Sequence, residues 1–205
     1  MKDRRVEVLG VETLFEGFFR MERYTLRHTL FKGGWSRPLR RELFRRNHCV
    51  AVLLYDPIRD EVVLLEQFRV AAMVNQMNAG QPDRAWLLEI VAGGIEEGET
   101  AAEVARREAW EEAGCEILEL RELMSFYTTP GGVAERITLF YGRVDSSRVG
   151  GMCGLAEEDE DILTRAVPAE EAFALLRDGA IESGVPIIAL QWLMLHRREL
   201  RMDLA

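Results

Sequence analysis

The chain has little cysteine and little histidine, three of each in 205 residues. Cys49, Cys115 and Cys153 are an odd, widely scattered set. They offer neither a disulfide framework nor a C-x-x-C metal site, and read as reduced, small core residues. His28, His48 and His196 form no ligand cluster and read as structural. No apolar run reaches the roughly 20 residues of a membrane span. The opening MKDRRVEV lacks the apolar core of a signal peptide. The expectation is a cytoplasmic chain without a membrane partner. Positive charge is also in deficit, with 26 Lys and Arg against 35 Asp and Glu and a formal charge of −9. That excludes general nucleic-acid binding, which is driven by phosphate neutralisation. It leaves room for a small anionic substrate, because a bound cation reverses the local field. Internal repeats and low-complexity segments are absent. What is there is ordinary globular material: 48% apolar residues, enough for one sizeable core and a small accessory unit.

One segment is rich in acid at regular spacing, GGIEEGETAAEVARREAWEEAGC, from Gly93 to Cys115. Thr100 followed by Glu103 is a capping box that would satisfy amides at a helix start. Ala101 to Ala113 are mostly good helix formers, and Gly114 is a natural stop. Glu108, Glu111 and Glu112 then stand at i, i+3 and i+4 on one face. Like charges so placed repel by roughly 0.2–0.5 kcal/mol per pair. Glu111 and Glu112 also occupy the last turn, where the helix dipole favours cations. A hard divalent ion with oxygen ligands, Mg²⁺ or Mn²⁺, would offset both penalties. Taken alone, the same spacing also suits a solvated acidic face.

The wider pattern G-x5-E-x7-R-E-A-x-E-E-x-G-C resembles the signature box of Nudix hydrolases, which cleave a nucleoside diphosphate linked to another moiety. Ala109 and Cys115 stand where that family prefers an aliphatic residue. The resemblance implies metal-ligand roles for Glu108, Glu111, Glu112 and the carbonyl of Ala92, with two or more Mg²⁺ or Mn²⁺ ions per site. It implies that Arg107 orients a carboxylate one turn away, with Glu111 at that spacing. Gly93, Glu99 and Gly114 are supporting residues of the box. The implied fold is α+β: an α/β/α sandwich around a mixed sheet, plus a small N-terminal antiparallel sheet.

Along the chain, residues 1–46 form the leading unit and residues 47–205 the catalytic body. Val11–Gly17 and Phe18–Phe31 are rich in aromatic and β-branched positions, and Lys32-Gly33-Gly34-Trp35 turns the chain into a further strand. About three strands result, too few to stand alone in water. A basic stretch follows, Arg37, Arg40, Arg41, Arg45 and Arg46, which suits either a charge-protected strand edge or an anion contact. In the body, Cys49–Tyr55 and Val62–Phe68 read as strands around an Asp-Pro turn. Val70–Arg84 reads as a loop, and Trp86–Val91 as one strand leading into the box. Further strands lie near Leu123–Tyr127, Ile137–Val144 and Ile162–Val167, with a polar connection over Asp145–Asp161. Pro168 starts one helix and Pro186 another, whose Ile187, Ile188, Leu190, Leu193 and Leu195 are expected to face the core.

Two segments narrow the substrate. Pro130, sixteen residues after Gly114, and the acidic loop Leu155–Asp161 are similar to features of bacterial ADP-ribose pyrophosphatases. So are the early Gly-Phe-Phe, the Arg-Arg-Glu segment from Arg40, Glu66-Gln67-x-Arg69, Leu87–Gly93 and Val185–Leu193. Met73–Arg84 is the poorest part of the match. That subgroup carries its catalytic base on a mobile loop, a placement that limits idle exposure. The implied base is Glu158, with Glu160 as a second base or a ligand. Arg41, Glu42, Arg69 and Glu135 are the implied substrate contacts. The subgroup is a homodimer that exchanges its N-terminal sheet. The expected reaction is hydrolysis of ADP-ribose to AMP and ribose 5-phosphate. A GDP-mannose or other nucleotide-sugar hydrolase would share nearly all these motifs. A non-catalytic nucleotide-sensing module is the alternative of another class, disfavoured by the intact box.

Overall fold

The computed structural model describes residues 4–202, apart from the side chains of residues 78, 82 and 83. Two compact units are present: Met1–His48 with Phe126–Ile137, and Cys49–Ser125 with Thr138–Ala205.

The first unit is a three-stranded antiparallel sheet of β1 (Val6–Glu16), β2 (Arg20–His28) and β3 (Leu39–Arg45), in that order. Gly33 and Gly34 adopt φ of +97° and +77°, a region that side-chain-bearing residues rarely adopt, so the turn after β2 depends on them. Cross-strand ion pairs such as Arg27–Glu7 (2.6 Å) and Arg23–Glu42 (2.9 Å) line the sheet. Being largely exposed, each contributes at most about 1 kcal/mol. The segment Phe126–Ile137 joins this unit through backbone bonds from Phe44 N to Gly132 O (2.8 Å) and from Ala134 N to Phe44 O (3.0 Å). The first unit thus runs to His48 and takes in Phe126–Ile137 from later in the chain.

The second unit is built on an eight-stranded sheet. Its strands are β4 (Cys49–Asp56), β5 (Glu61–Phe68), β6 (Trp86–Glu89), β7 (Val91–Gly94), β8 (Glu119–Tyr127), β9 (Arg136–Arg143), β10 (Gly150–Cys153) and β11 (Ile162–Pro168). The order is β10-β11-β5-β4-β9-β8, with β6 beside β5 and β7 beside β4. Val50 to Tyr55 are all fully buried, the mark of a strand covered on both faces. Alternation divides them. Val50, Val52 and Leu54 share a core with Val104, Ala105, Ala109 and Ala113 of helix α2 (Ala101–Ala113). Ala51, Leu53 and Tyr55 point the other way, toward α4 (Gly184–Met202), while α3 (Ala169–Arg177) packs on β5 and β11. Each fully buried Val or Leu contributes roughly 1.5–3 kcal/mol. The α/β/α arrangement around a mixed sheet is the one expected.

Four local expectations are corrected. Residues 70–84 are not a loop: Val70–Asn78 forms helix α1, followed by a 3-10 turn over Pro82–Ala85. Trp86–Val91 is not one strand, because the chain breaks at Ile90 and β6 and β7 take different partners. The 145–161 connection contains strand β10 and two 3-10 turns. Leu195 is 79% exposed, whereas Pro186, Ala189, Leu190, Leu193 and Leu200 form the buried stripe of α4.

Candidate active site

Helix α2 starts and stops as its local chemistry requires. Thr100 Oγ1 accepts from Glu103 N (3.3 Å), and Glu103 Oε2 accepts from Thr100 N (2.9 Å), completing the capping box. Gly114 takes the left-handed conformation at φ +60°, and Cys115 N closes the end by donating to Ala109 O at 2.9 Å. The buried stripe of this helix is Val104, Ala105, Glu108, Ala109, Glu112 and Ala113. Two of the three box glutamates are therefore on the face packed toward the sheet, with Glu112 only 3% and Glu108 9% exposed. A solvated acidic face is ruled out.

Buried carboxylates need partners, and these have only partial ones. Glu112 Oε2 accepts from Ala92 N at 2.9 Å. Glu108 Oε1 lies 2.9 Å from Arg107 Nη1. Burial pushes the Glu112 carboxyl up to about 8, the Ala92 N–H opposing it and the charges of Glu108 and Glu160 adding to it. Burial likewise raises Glu108 to about 7, against the pull of Arg107. The cluster is short of positive charge.

Room for the Glu108 carboxylate comes from β7. A Cβ at Gly93 would sit 1.8 Å from Glu108 Oε1, so only glycine lets this carboxylate lie against the strand. Ala92 N–H points at Glu112; since N–H and C=O of one extended residue leave on the same side, its carbonyl is directed to that edge too. Arg107 ties the loop to the helix. It donates through Nε to Glu99 Oε1 (3.1 Å) and through Nη1 to Glu111 Oε2 (2.8 Å). Glu99 in turn accepts from Glu96 N (3.0 Å), and these donors hold its carboxyl below the usual range.

The acidic loop is pinned beside α2. Gly154 N donates to Glu111 O (3.0 Å), and Thr164 Oγ1 donates to Glu112 O (2.8 Å). Between them, Glu160 Oε2 accepts from Leu155 N (3.3 Å), and its charge is felt at Glu108 and Glu112. Glu158 ends an exposed 3-10 turn, Ala156–Glu158. Arg69 lies at the junction of β5 and α1, close enough for its charge to favour ionised Glu112. Sequence reasoning missed Glu89, which accepts from Arg69 Nε (2.9 Å) and Nη2 (2.7 Å). A lone acid inside the apolar run Trp86–Val91 was the available signal.

Arg41, Glu42 and Glu135 belong to the first unit. There Arg41 Nη1 donates to Arg40 O (2.8 Å), Glu42 accepts from Arg23, and Glu135 accepts from Thr128 Oγ1 (3.1 Å) and pairs with Arg46 (3.1 Å).

Among the described residues, no three His, Cys, Asp or Glu side chains are gathered into a ready-made metal cage, and Glu111 is turned to Arg107. The donor set nonetheless fits a hard divalent ion. It is all oxygen, it is short of positive charge, and a backbone carbonyl shares its edge.

Residues 45–189 match the NUDIX domain family model. The chain is 45% identical over 200 residues to an ADP-ribose pyrophosphatase of Escherichia coli, covering 98% of this chain and 93% of that one. It is 34% identical over 191 residues to a GDP-mannose pyrophosphatase of Citrobacter koseri, covering 93% and 95%. A solved structure described as an ADP compounds hydrolase superposes with a TM-score of 0.66 at 20% identity, over 94% of this chain and 96% of the other, and speaks to the fold alone. With its intact box folded as a capped helix against a glycine strand, this chain belongs to the NUDIX domain family.

Proposed function

We propose that the chain hydrolyses the diphosphate of ADP-ribose to AMP and ribose 5-phosphate with the help of divalent cations. The observation that carries this reading is the pair of buried glutamates, Glu108 and Glu112, facing β7 without enough positive charge to balance them. Full-length similarity to ADP-ribose pyrophosphatases supports the substrate, at 45% identity against 34% for GDP-mannose pyrophosphatases.

Glu108, Glu111, Glu112 and the Ala92 carbonyl would hold Mg²⁺ or Mn²⁺. The ion supplies charge neutralisation for the diphosphate and a lowered pKa for an attacking water. Arg107 keeps Glu111 aimed by a 2.8 Å bond. Arg69 meets the diphosphate as a fixed guanidinium. Glu158 takes the proton of the attacking water onto its carboxylate as a new P–O bond forms and the bridging P–O bond breaks. Glu160 completes the acidic cluster from the other side. By the same resemblance the first unit is proposed to pair with a second copy. The exposed Val6, Val8, Val11 and Phe15 of β1 supply apolar surface for it, and light scattering should return twice the chain mass.

The test is a panel of ADP-ribose, GDP-mannose, NADH and diadenosine polyphosphates with Mg²⁺ present. ADP-ribose should lead in kcat/KM by at least about tenfold, the ratio that 1.4 kcal/mol of differential transition-state binding gives. GDP-mannose in the lead would replace the substrate, and no turnover of any member would end the enzymatic reading.

A further inference from the structure

On β5, Val63 and Leu65 point into the core beneath α2, and Gln67 is the next residue of that alternating row, still buried. β6 runs antiparallel beside it, with Leu65 opposite Glu89 and Gln67 opposite Leu87. Gln67 and Glu89 are thus diagonal neighbours on one face. Two polar side chains at the end of an apolar row conflict with core packing, and such conflicts mark functional positions.

Their bonds converge. Glu89 Oε2 accepts from Gln67 Nε2 (3.2 Å), Arg69 Nε (2.9 Å) and Arg69 Nη2 (2.7 Å). The guanidinium is a rigid planar fork, so two bonds on its Nε–Nη2 edge fix its plane and turn the Nη1 edge away from Glu89. The backbone of Arg69 is held as well, its N–H donating to Ala85 O (2.9 Å) and its carbonyl accepting from Met73 N (2.9 Å). The side chain of Glu89 is 13% accessible and that of Arg69 is 43% accessible: an enclosed anchor carries an open cation.

We propose that Glu89, braced by Gln67, is a positioning residue that holds the Arg69 guanidinium with its open edge toward the substrate diphosphate, beside the glutamate cluster. This rests on the reading that the site takes a nucleoside diphosphate.

The experiment is a double-mutant cycle on the full chain with Mg²⁺, using ADP-ribose and comparing Glu89→Ala, Glu89→Gln, Arg69→Ala and the double variant. Melting curves establish that each is folded. Glu89→Ala should raise KM about tenfold with kcat within about twofold, the pattern of lost charge-assisted binding. Glu89→Gln keeps one acceptor and should recover part of the loss even where the alanine variant is unstable. In the Arg69→Ala background, removing Glu89 should add less than about a twofold effect, because the two act as one unit. An unchanged KM, or an equal rise with and without Arg69, overturns the proposal. If the wild-type chain hydrolyses another panel diphosphate but not ADP-ribose, the substrate reading fails while the cycle, run on that diphosphate, still decides the role of Glu89. A chain that turns over none of them sinks both.

Discussion

The carboxylate of Glu108 packs so closely over Gly93 that a methyl group on the glycine α-carbon would lie 1.8 Å from its Oε1. The helix can bury that acid only because the facing strand has no side chain there. Gly93→Ala should therefore displace Glu108 while leaving the fold largely intact. A misplacement of about 1 Å can cost about a hundredfold in rate, and kcat should fall by that order. Steady-state kinetics with circular dichroism checks this; wild-type kcat would mean that the position of Glu108 does not matter.

Glu112→Gln separates chemistry from stability. Outer partners of metal ligands are worth about 10–100-fold in activity, so loss of this proposed ligand carboxylate should exceed about a hundredfold. The ionised acid is disfavoured by its burial, with the Glu108 and Glu160 charges adding to the strain. A neutral amide of the same shape should thus melt no lower than wild type when both are scanned in a chelator.

Glu158 and Glu160 should part company under the same substitution. Glu158→Gln is expected to lower kcat by at least about a hundredfold as a lost general base, with metal binding retained. Glu160→Gln should weaken divalent-ion affinity, read by titration calorimetry, because its charge reaches Glu108 and Glu112. If Glu160→Gln is the worse lesion in kcat and leaves ion affinity alone, the two roles are reversed.

Acid stability should depend on Asp60. Its carboxylate accepts from Tyr55 Oη (2.6 Å), Arg201 Nη1 (2.7 Å) and two nitrogens of Arg197, linking the turn after β4 to α4. Hydrogen bonding from Arg197, the largest influence, holds the acid below its ordinary range. The sign follows from linkage: stability is present above the unfolded value, about pH 4, and is lost as pH falls through the lower folded value. Asp60→Asn suits the left-handed φ of 62° and isolates the charge. It should cost about 2 kcal/mol at neutral pH and flatten the loss of stability below about pH 4, as followed by urea titration. An unchanged acid limb would show that the cluster is not what acid dissolves.

How much of this was legible beforehand depends on how local the signals are. Helix α2 could be read to the residue because Thr100, Glu103 and Gly114 act within their own turns. Helix α1 could not, since Arg69 offers no cap and its first turn has no acid; packing decides there. β10 hid behind Gly150 and Gly151, whose φ of +142° and +109° are unlike an ordinary strand's. The glutamates were readable as a set, but not which of them are buried, because that depends on the strand facing the helix. Glu89 was invisible as a partner of Arg69 since the two meet only through the β5–β6 register.

The two carbonyls near the end of α2, on Glu111 and Glu112, are capped from outside by Gly154 and Thr164. The loop bearing Glu158 and Glu160 is consequently moored at both ends to the helix that carries Glu108, Glu111 and Glu112. Swinging the whole loop away as a hinged flap would break both bonds, at about 1 kcal/mol each, whereas reshaping the short arc between them breaks neither. The same two bonds tie the loop to α2, so the proposed base and the proposed ligands are carried on one joined element.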